Sequence, residues 1–248
     1  MKLIVCINHV PDTTAKINIG NDAKSIDRTG VTYIINPYDE FAVEECLRWK
    51  EKHSGEVVAV SLGGDTHKET LRKALAMGAD KAVLLKDDAP RDSYSVARAL
   101  ADFIKKQSPD AVFFGKQSID SDDAAVGLMV AEMLGWPSAS VAVKIELTGD
   151  HATATCEIEG GHETIALKLP AVFTAQKGLN EPRYPSLKGI MTSKNKPIEE
   201  ESPAPPQNKS EVVAMKRPAA KNAGKIVGTD VSAVPELVRL LHEEAKVI

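Results

Sequence analysis

Aromatic residues make up only 4% of the 248 residues, and the formal net charge is −4. Nucleic-acid binders rely on a basic stripe and on rings for base stacking, so a duplex or single strand is not an expected partner. Long apolar runs are also missing. Leu3 to Ile7 and Ala111 to Phe114 fall far short of the roughly 20 residues a membrane helix needs, so no membrane insertion is expected. Cysteine is scarce: Cys6, Cys46 and Cys156 are widely spaced, odd in number and in no CxxC pair. That pattern argues against a disulfide framework and for a reducing compartment. The six histidines show no metal-ligand spacing, and no metal is expected. Strand-like residues Lys2 to Ile7 stand at the start without a basic and then apolar leader, which gives the expectation of a cytoplasmic protein.

Three catalytic signatures are absent as well. No G-x-G-x-x-G follows the first strand, where Cys6-Ile7-Asn8-His9-Val10-Pro11-Asp12 stands instead. There is no G-x-x-x-x-G-K-[ST] loop and no G-x-S-x-G elbow. A hydride-transferring Rossmann enzyme, a P-loop ATPase and a serine hydrolase are each disfavoured. No catalytic constellation remains, and the chain is not expected to be an enzyme.

What is present is an alternation. Strands are expected at Leu3 to Ile7, Val57 to Ser61, Ala82 to Leu85 and Ala111 to Phe114, with helices at Asp39 to His53, Thr66 to Met77, Ser95 to Lys106 and Asp122 to Leu134. Parallel neighbours need a crossover, usually a helix, so the fold class is α/β, a doubly wound and mainly parallel sheet. Thr66-His67-Lys68-Glu69 has the form of a capping box, and Gly78 follows Met77 where a helix stop favours glycine. After Pro137, alternating segments at Val141 to Leu147, Thr153 to Ile158 and Glu163 to Leu169 flank Gly149-Asp150 and Gly160-Gly161, the pattern of an antiparallel ribbon. From Glu199 to about Lys221 the chain is rich in Pro, Lys, Glu and Ala, fitting an extended arm. Leu237, Leu240 and Leu241 then recur at helical spacing, a terminal amphipathic helix in need of an apolar surface.

Open parallel sheets bind ligands beyond the carboxyl ends of strands where the order reverses, which directs attention to the loops after the first, second and fourth strands. The last of these reads Gly115-Lys116-Gln117-Ser118-Ile119-Asp120-Ser121-Asp122-Asp123, with a helix expected at once after it. Free N–H groups at a helix start favour an anion such as a phosphate. Asp120, Asp122 and Asp123 oppose one unless they turn outward or cap the helix.

Several segments together resemble the electron-transfer flavoprotein small (beta) subunit: Asn36-Pro37-Tyr38-Asp39-Glu40 with Ala42-Val43-Glu44-Glu45, Ala74 to Asp80, Gly115-Lys116-Gln117 with Ile119-Asp120, Ala166 to Val172, and above all Leu179 to Ile190. The resemblance covers about Lys2 to Ile198 and is weak beyond. It implies an adenine-nucleotide α-hydrolase-like fold with a C-terminal arm, divided into a nucleotide-binding domain at 1–198, with a partner-docking loop at 179–197, and an arm with terminal helix at 199–248 that packs on a large (alpha) subunit.

The same resemblance implies an electron carrier of fatty acid oxidation, taking electrons from flavin dehydrogenases of the acyl-CoA dehydrogenase type to a membrane quinone oxidoreductase. FAD would be shared with the large subunit, and an AMP would be held here. Residues carried over to AMP are Cys6, Asn36, Pro37, Tyr38, Asp39, Leu62, Gly115, Lys116, Gln117, Ser118, Ile119, Asp120, Ser121, Asp122, Asp123, Ala124, Ala125 and Val126, and Thr13 falls near the FAD. Leu187, with Tyr184, Ile190 and Met191, is carried over to docking, and the positive charges of Arg183, Lys188, Lys194 and Lys196 beside it suit the steering of a negatively charged partner. Glu157 matches a glutamate that meets an arginine of the large subunit.

Ala124-Ala125 departs from the polar residues of AMP-binding relatives, and the Val126-Gly127 ending leans toward electron-bifurcating relatives that hold a second FAD. Ser121, where those relatives carry glycine, leans back toward AMP. A stand-alone nucleotide-binding protein of the universal-stress type is the alternative from another class, and it leaves the run from Leu179 to Ile198 without a purpose.

Overall fold

Strand β1 (Lys2–Cys6) sends Leu3 and Val5 into one core and Ile4 and Cys6 into a second, because successive side chains of a strand point to opposite faces. The computed structural model describes residues 1–220 and 223–248. After β1 come four short strands, β2 (His9–Pro11), β3 (Asn18–Ile19), β4 (Ile26–Asp27) and β5 (Tyr33–Ile35), joined as two antiparallel pairs, β2 with β5 and β3 with β4. The alternating part is α1 (Pro37–His53), β6 (Glu56–Gly63), α2 (His67–Met77), β7 (Lys81–Lys86), α3 (Ser93–Gln107), β8 (Ala111–Gly115) and α4 (Val126–Leu134). The ribbon is β9 (Ser138–Thr148), β10 (His151–Ile158) and β11 (Gly161–Lys168), followed by β12 (Ala171–Ala175), α5 (Leu187–Ser193) and β13 (Ile198–Glu201). A 3-10 turn at Val231–Ala233, α6 (Val234–Leu240) and a π turn at Leu241–Ala245 end the chain.

Nine strands form one sheet in the order β11-β10-β9-β12-β8-β1-β6-β7-β13, parallel throughout except for the antiparallel β9, β10 and β11 pairings. One face is covered by α1 and α2 around Trp49, Phe113 and Phe173, whose rings lie 5.1 to 5.7 Å apart. The other is covered by α3 and α4 around Phe103, Ile104 and Val130. This is the doubly wound, mainly parallel α/β sheet with an antiparallel ribbon that the alternation implied.

Three local expectations need correction. Thr66 makes no side-chain cap on α2, since its backbone is already helical and Glu69 N donates to the Thr66 carbonyl rather than to its hydroxyl. Helix α4 begins at Val126, not Asp122, because Asp122 (φ +59°) and Ala124 (φ +51°) occupy the left-handed region that a right-handed helix forbids. Glu199 to Glu201 belong to β13, the sheet edge, where Glu200 pairs with Lys68 and Lys86 at 2.5 and 3.3 Å. A charged edge strand of this kind discourages pairing with another chain. The arm therefore begins after Glu201, and Lys221, its expected end, lies outside the described residues. The terminal helix is present as α6, with Val234, Leu237 and Val238 exposed.

Candidate nucleotide cleft and docking face

From β1 the chain moves outward through β6 and β7, then crosses back over α3 to place β8 on the other side of β1. The loops after β1 and β8 consequently part from each other, and a cleft of about 220 Å³ opens between them. The structure brings Cys6, Asp39, Leu62, Gly115, Lys116, Gln117, Ser118, Asp120, Ser121, Asp123, Ala124, Ala125 and Val126 to its lining. Asn36, Pro37, Tyr38, Ile119 and Asp122 stand outside that lining. Asn36 is fully buried and braces the loop: its Nδ2 donates to the Gln117 carbonyl at 2.9 Å, and its Oδ1 accepts from Ile119 N at 3.2 Å. Pro37 opens α1 with its ring at a position where no N–H is needed. Tyr38 packs on Gly115, with the Lys116 ammonium 5.1 Å from its ring centre.

Asp39 is the electrostatic oddity of the cleft. Its carboxylate accepts from Asn8 N at 2.7 Å and from Gly115 N at 2.9 Å, tying the ends of β1 and β8 to the first turn of α1. Burial still raises its pKa to about 7, against those hydrogen bonds. Gly115 has no alternative residue here, because a Cβ would lie 2.5 Å from Asp39 Oδ1 and 2.7 Å from the Tyr38 backbone. Cys6 is buried beside Asp39, and burial and then that charge push its thiol up, so it is an inert wall rather than a nucleophile.

None of the three aspartates of the loop caps α4; Asp120 and Asp123 line the cleft, and Asp122 alone stands outside it. Asp120 accepts from Asn8 Nδ2 at 3.1 Å, Asp122 from Gln117 Nε2, and Asp123 from Ser93 Oγ of α3. Ala125 stands at the N-cap of α4 and supplies no side-chain cap. The first turn of α4 borders the cleft with its N–H groups uncapped by side chains, which favours an anion there against the opposing charge of Asp120 and Asp123 in the same lining. Strained non-glycine residues at Asp122 and Ala124 mark the same loop, and such strain concentrates at ligand sites.

Sequence reading missed the contribution of Ser93, Val96 and Leu100 from α3 and of Arg91 just before it, together with Asn8, Val60 and Ser61. Asp92 carried the available signal. It caps α3 by accepting from Ser95 N at 2.8 Å, which puts the helix start at Ser93 and turns its first residues toward the cleft.

The segment 179–193 is built in the opposite sense. Asn180 Nδ2 donates to Glu45 at 2.9 Å and to the Phe41 carbonyl at 3.0 Å. Arg183 clamps Glu44 at 2.8 Å and Glu51 at 2.5 Å. Burial pushes Glu44 up, but its bonds to Arg183 and Arg48 outweigh that and hold its pKa below the usual range. Arg183 is thereby spent on α1 and is no free steering charge. Lys196 is likewise engaged, donating to the Ala79 carbonyl at 2.7 Å, whereas Lys188 and Lys194 are exposed.

Ser186 caps α5 by accepting from Gly189 N at 3.0 Å, so Leu187 lies in a helical turn rather than a loop. Gly189 lies against the Ala76 carbonyl of α2, and Arg72 donates to the Ser193 and Lys196 carbonyls. On this fixed base Tyr184 is 95%, Leu187 83% and Met191 67% exposed, with Ile190 beside them. Clustered apolar side chains left in water are the feature that calls for a partner. Thr13 is exposed in the turn after β2, and Glu157 accepts from Gln176 Nε2 at 2.6 Å on the exposed side of β10.

A doubly wound, mainly parallel α/β sheet with a switch-point cleft defines a class of fold, but not a particular protein. Comparison with known proteins narrows it. Residues 24–206 match the family model described as electron transfer flavoprotein domain. The chain is 42% identical, over all of both chains, to the electron transfer flavoprotein subunit beta of Bacillus subtilis (strain 168). It is 41% identical to that of Syntrophomonas wolfei over 90% of this chain and 88% of the relative, and 38% identical over all of both chains to the mitochondrial one of Oryza sativa subsp. japonica. The chain belongs to the electron-transfer flavoprotein family. Among the described residues no helix is long and apolar enough to cross a membrane.

Proposed function

We propose that this chain is the small subunit of a two-chain electron carrier and that its switch-point cleft holds AMP. The observation that carries this reading is the pairing of that cleft, bordered by the uncapped start of α4, with a separate and exposed apolar cluster at Tyr184, Leu187, Ile190 and Met191. The residues fit a mononucleotide: Cys6, Leu62 and Val96 offer apolar wall to a base, and the backbone of 115–126 offers N–H groups to a phosphate. FAD, when bound, supplies the reversible uptake and release of electrons. This chain brings it little beyond Thr13, and the large subunit holds the rest. The arm beyond Glu201 and the exposed face of α6 pack on that subunit.

The Leu187 cluster docks donors of the acyl-CoA dehydrogenase type, with Lys188 and Lys194 steering, and a quinone oxidoreductase takes the electrons onward. Glu157 meets the large subunit's arginine near the flavin. No residue of this chain transforms a substrate, and the setting is the cytoplasm. Co-expression with the large subunit, gel filtration and identification of the nucleotides released on denaturation test the reading. FAD and AMP in equal amounts are expected from the complex, and little FAD from this chain alone. Two FAD per complex, or stoichiometric FAD on this chain by itself, contradicts it.

A further inference from the structure

The arm touches the α/β domain through polar contacts, and several of them meet at the wall of the cleft. Arg91 borders the cleft, yet its side chain is only 3% exposed and its five N–H donors are all engaged. Nε and Nη2 donate to Asp87 at 2.8 and 2.5 Å. Nη1 donates to the Ser95 carbonyl and hydroxyl at 3.3 and 3.2 Å, and Nη2 reaches the Ala204 carbonyl of the arm at 2.6 Å. With no donor left over, Arg91 does not bind a phosphate itself. It ties three segments together.

Asp92 repeats the pattern. One carboxylate oxygen caps α3 through Ser95 N, and the other accepts from Lys209 N at 2.5 Å and Ser210 N at 2.8 Å. Asn208 closes the loop, accepting from Asp92 N at 3.1 Å and donating to the Pro90 carbonyl at 2.9 Å, while Gln207 N donates to Ser95 Oγ at 2.9 Å. The first turn of α3 is therefore completed from outside by arm residues 204–210. From inside, Ser93 of that same turn donates to Asp123 in the strained loop, and Ser93 and Val96 line the cleft. One helix start is shared by the arm and the ligand site.

We infer that Arg91 and Asp92 are positioning residues that couple the seating of the arm to occupancy of the cleft by a nucleotide. The inference rests on the AMP reading above. Coupling of this kind is reciprocal: a nucleotide that fixes the α3 start steadies the arm, and a seated arm tightens the nucleotide by the same factor. A merely structural latch has no such response.

Hydrogen exchange on the full two-subunit complex, freed of nucleotide and then saturated with AMP, tests the coupling. The amides of Gln207, Lys209 and Ser210 should exchange about fivefold more slowly with AMP bound. Asp92→Ala should weaken AMP by a similar factor and abolish the AMP-dependent protection, with flavin content and elution volume unchanged. Asn208→Ala, which leaves the α3 cap in place, should act in the same direction if the first variant folds poorly. AMP binding that leaves these amides untouched, or wild-type AMP affinity in both variants, overturns the coupling. Failure of the wild-type complex to bind AMP overturns the nucleotide reading itself, and the coupling with it.

Discussion

The cleft loop and the docking segment solve opposite problems. In residues 115–126 the acidic side chains are held by neighbouring polar groups, Asp120 by Asn8, Asp122 by Gln117 and Asp123 by Ser93, while the N–H groups at the start of α4 are left without a side-chain cap. In residues 179–193 the backbone and polar side chains are consumed by α1 and α2, so what faces water is apolar side chain. Polar recognition needs N–H groups held in place, and apolar recognition needs large side chains held at low ordering cost. The two tasks proposed for this chain, retaining a nucleotide and meeting a partner, separate along this line.

The largest effect expected on the cleft side is a pH dependence. Asp39 has a folded pKa of about 7 against an ordinary 3.8, so the folded state holds its proton more tightly. Its contribution to stability is fully present below the unfolded value and is lost as pH rises through about 7. The loss is on the order of 4 kcal/mol, and Asp39→Asn should flatten it. Denaturant midpoints of both proteins from pH 4 to 8 check this, and an unchanged slope in the variant removes Asp39 as the source. Next is Gly115→Val, which forces its new side chain into Asp39 and the Tyr38 backbone. It should cost about 3 kcal/mol and lose nucleotide and fold together, read by thermal unfolding and nucleotide content.

On the docking side, Arg183→Ala should release the segment from Glu44 and Glu51. Because Arg183 is about a third exposed, the cost should be only about 1 to 2 kcal/mol. Partner affinity should fall while AMP content holds, by titration with the donor dehydrogenase. Equal loss of AMP would break the separation of the two regions.

How much of this was legible in the sequence follows from how local each signal is. The four central strands of the first half and their helices showed because β-branched runs and helical spacing are local patterns. β12 did not, since Ala171 to Ala175 is a short buried run whose strand identity comes from lying between β8 and β9. The β2–β5 and β3–β4 pairs and the acidic β13 were missed for the same reason. At the cleft, the switch-point rule pointed to loops that the structure places on its border, but Arg91, just before α3, and Ser93, its first residue, arrive by tertiary packing alone. Leu187 was singled out through resemblance and is exposed in the structure, whereas the neutralisation of Arg183 by Glu44 and Glu51 depends on residues 139 and 132 positions away.

Leu187→Ala tests the division of labour most directly, though its effect on stability should be the smallest. The side chain is 83% exposed, so thermal unfolding of the purified heterodimer should be unchanged, as should its AMP and FAD content. Affinity for the donor dehydrogenase should fall about tenfold, equivalent to about 1.4 kcal/mol of lost apolar burial in the partner's pocket. Measured together on one preparation, a tenfold weaker partner with wild-type melting is the result predicted. Wild-type partner affinity with a lowered melting temperature would contradict it, returning Leu187 to a structural role.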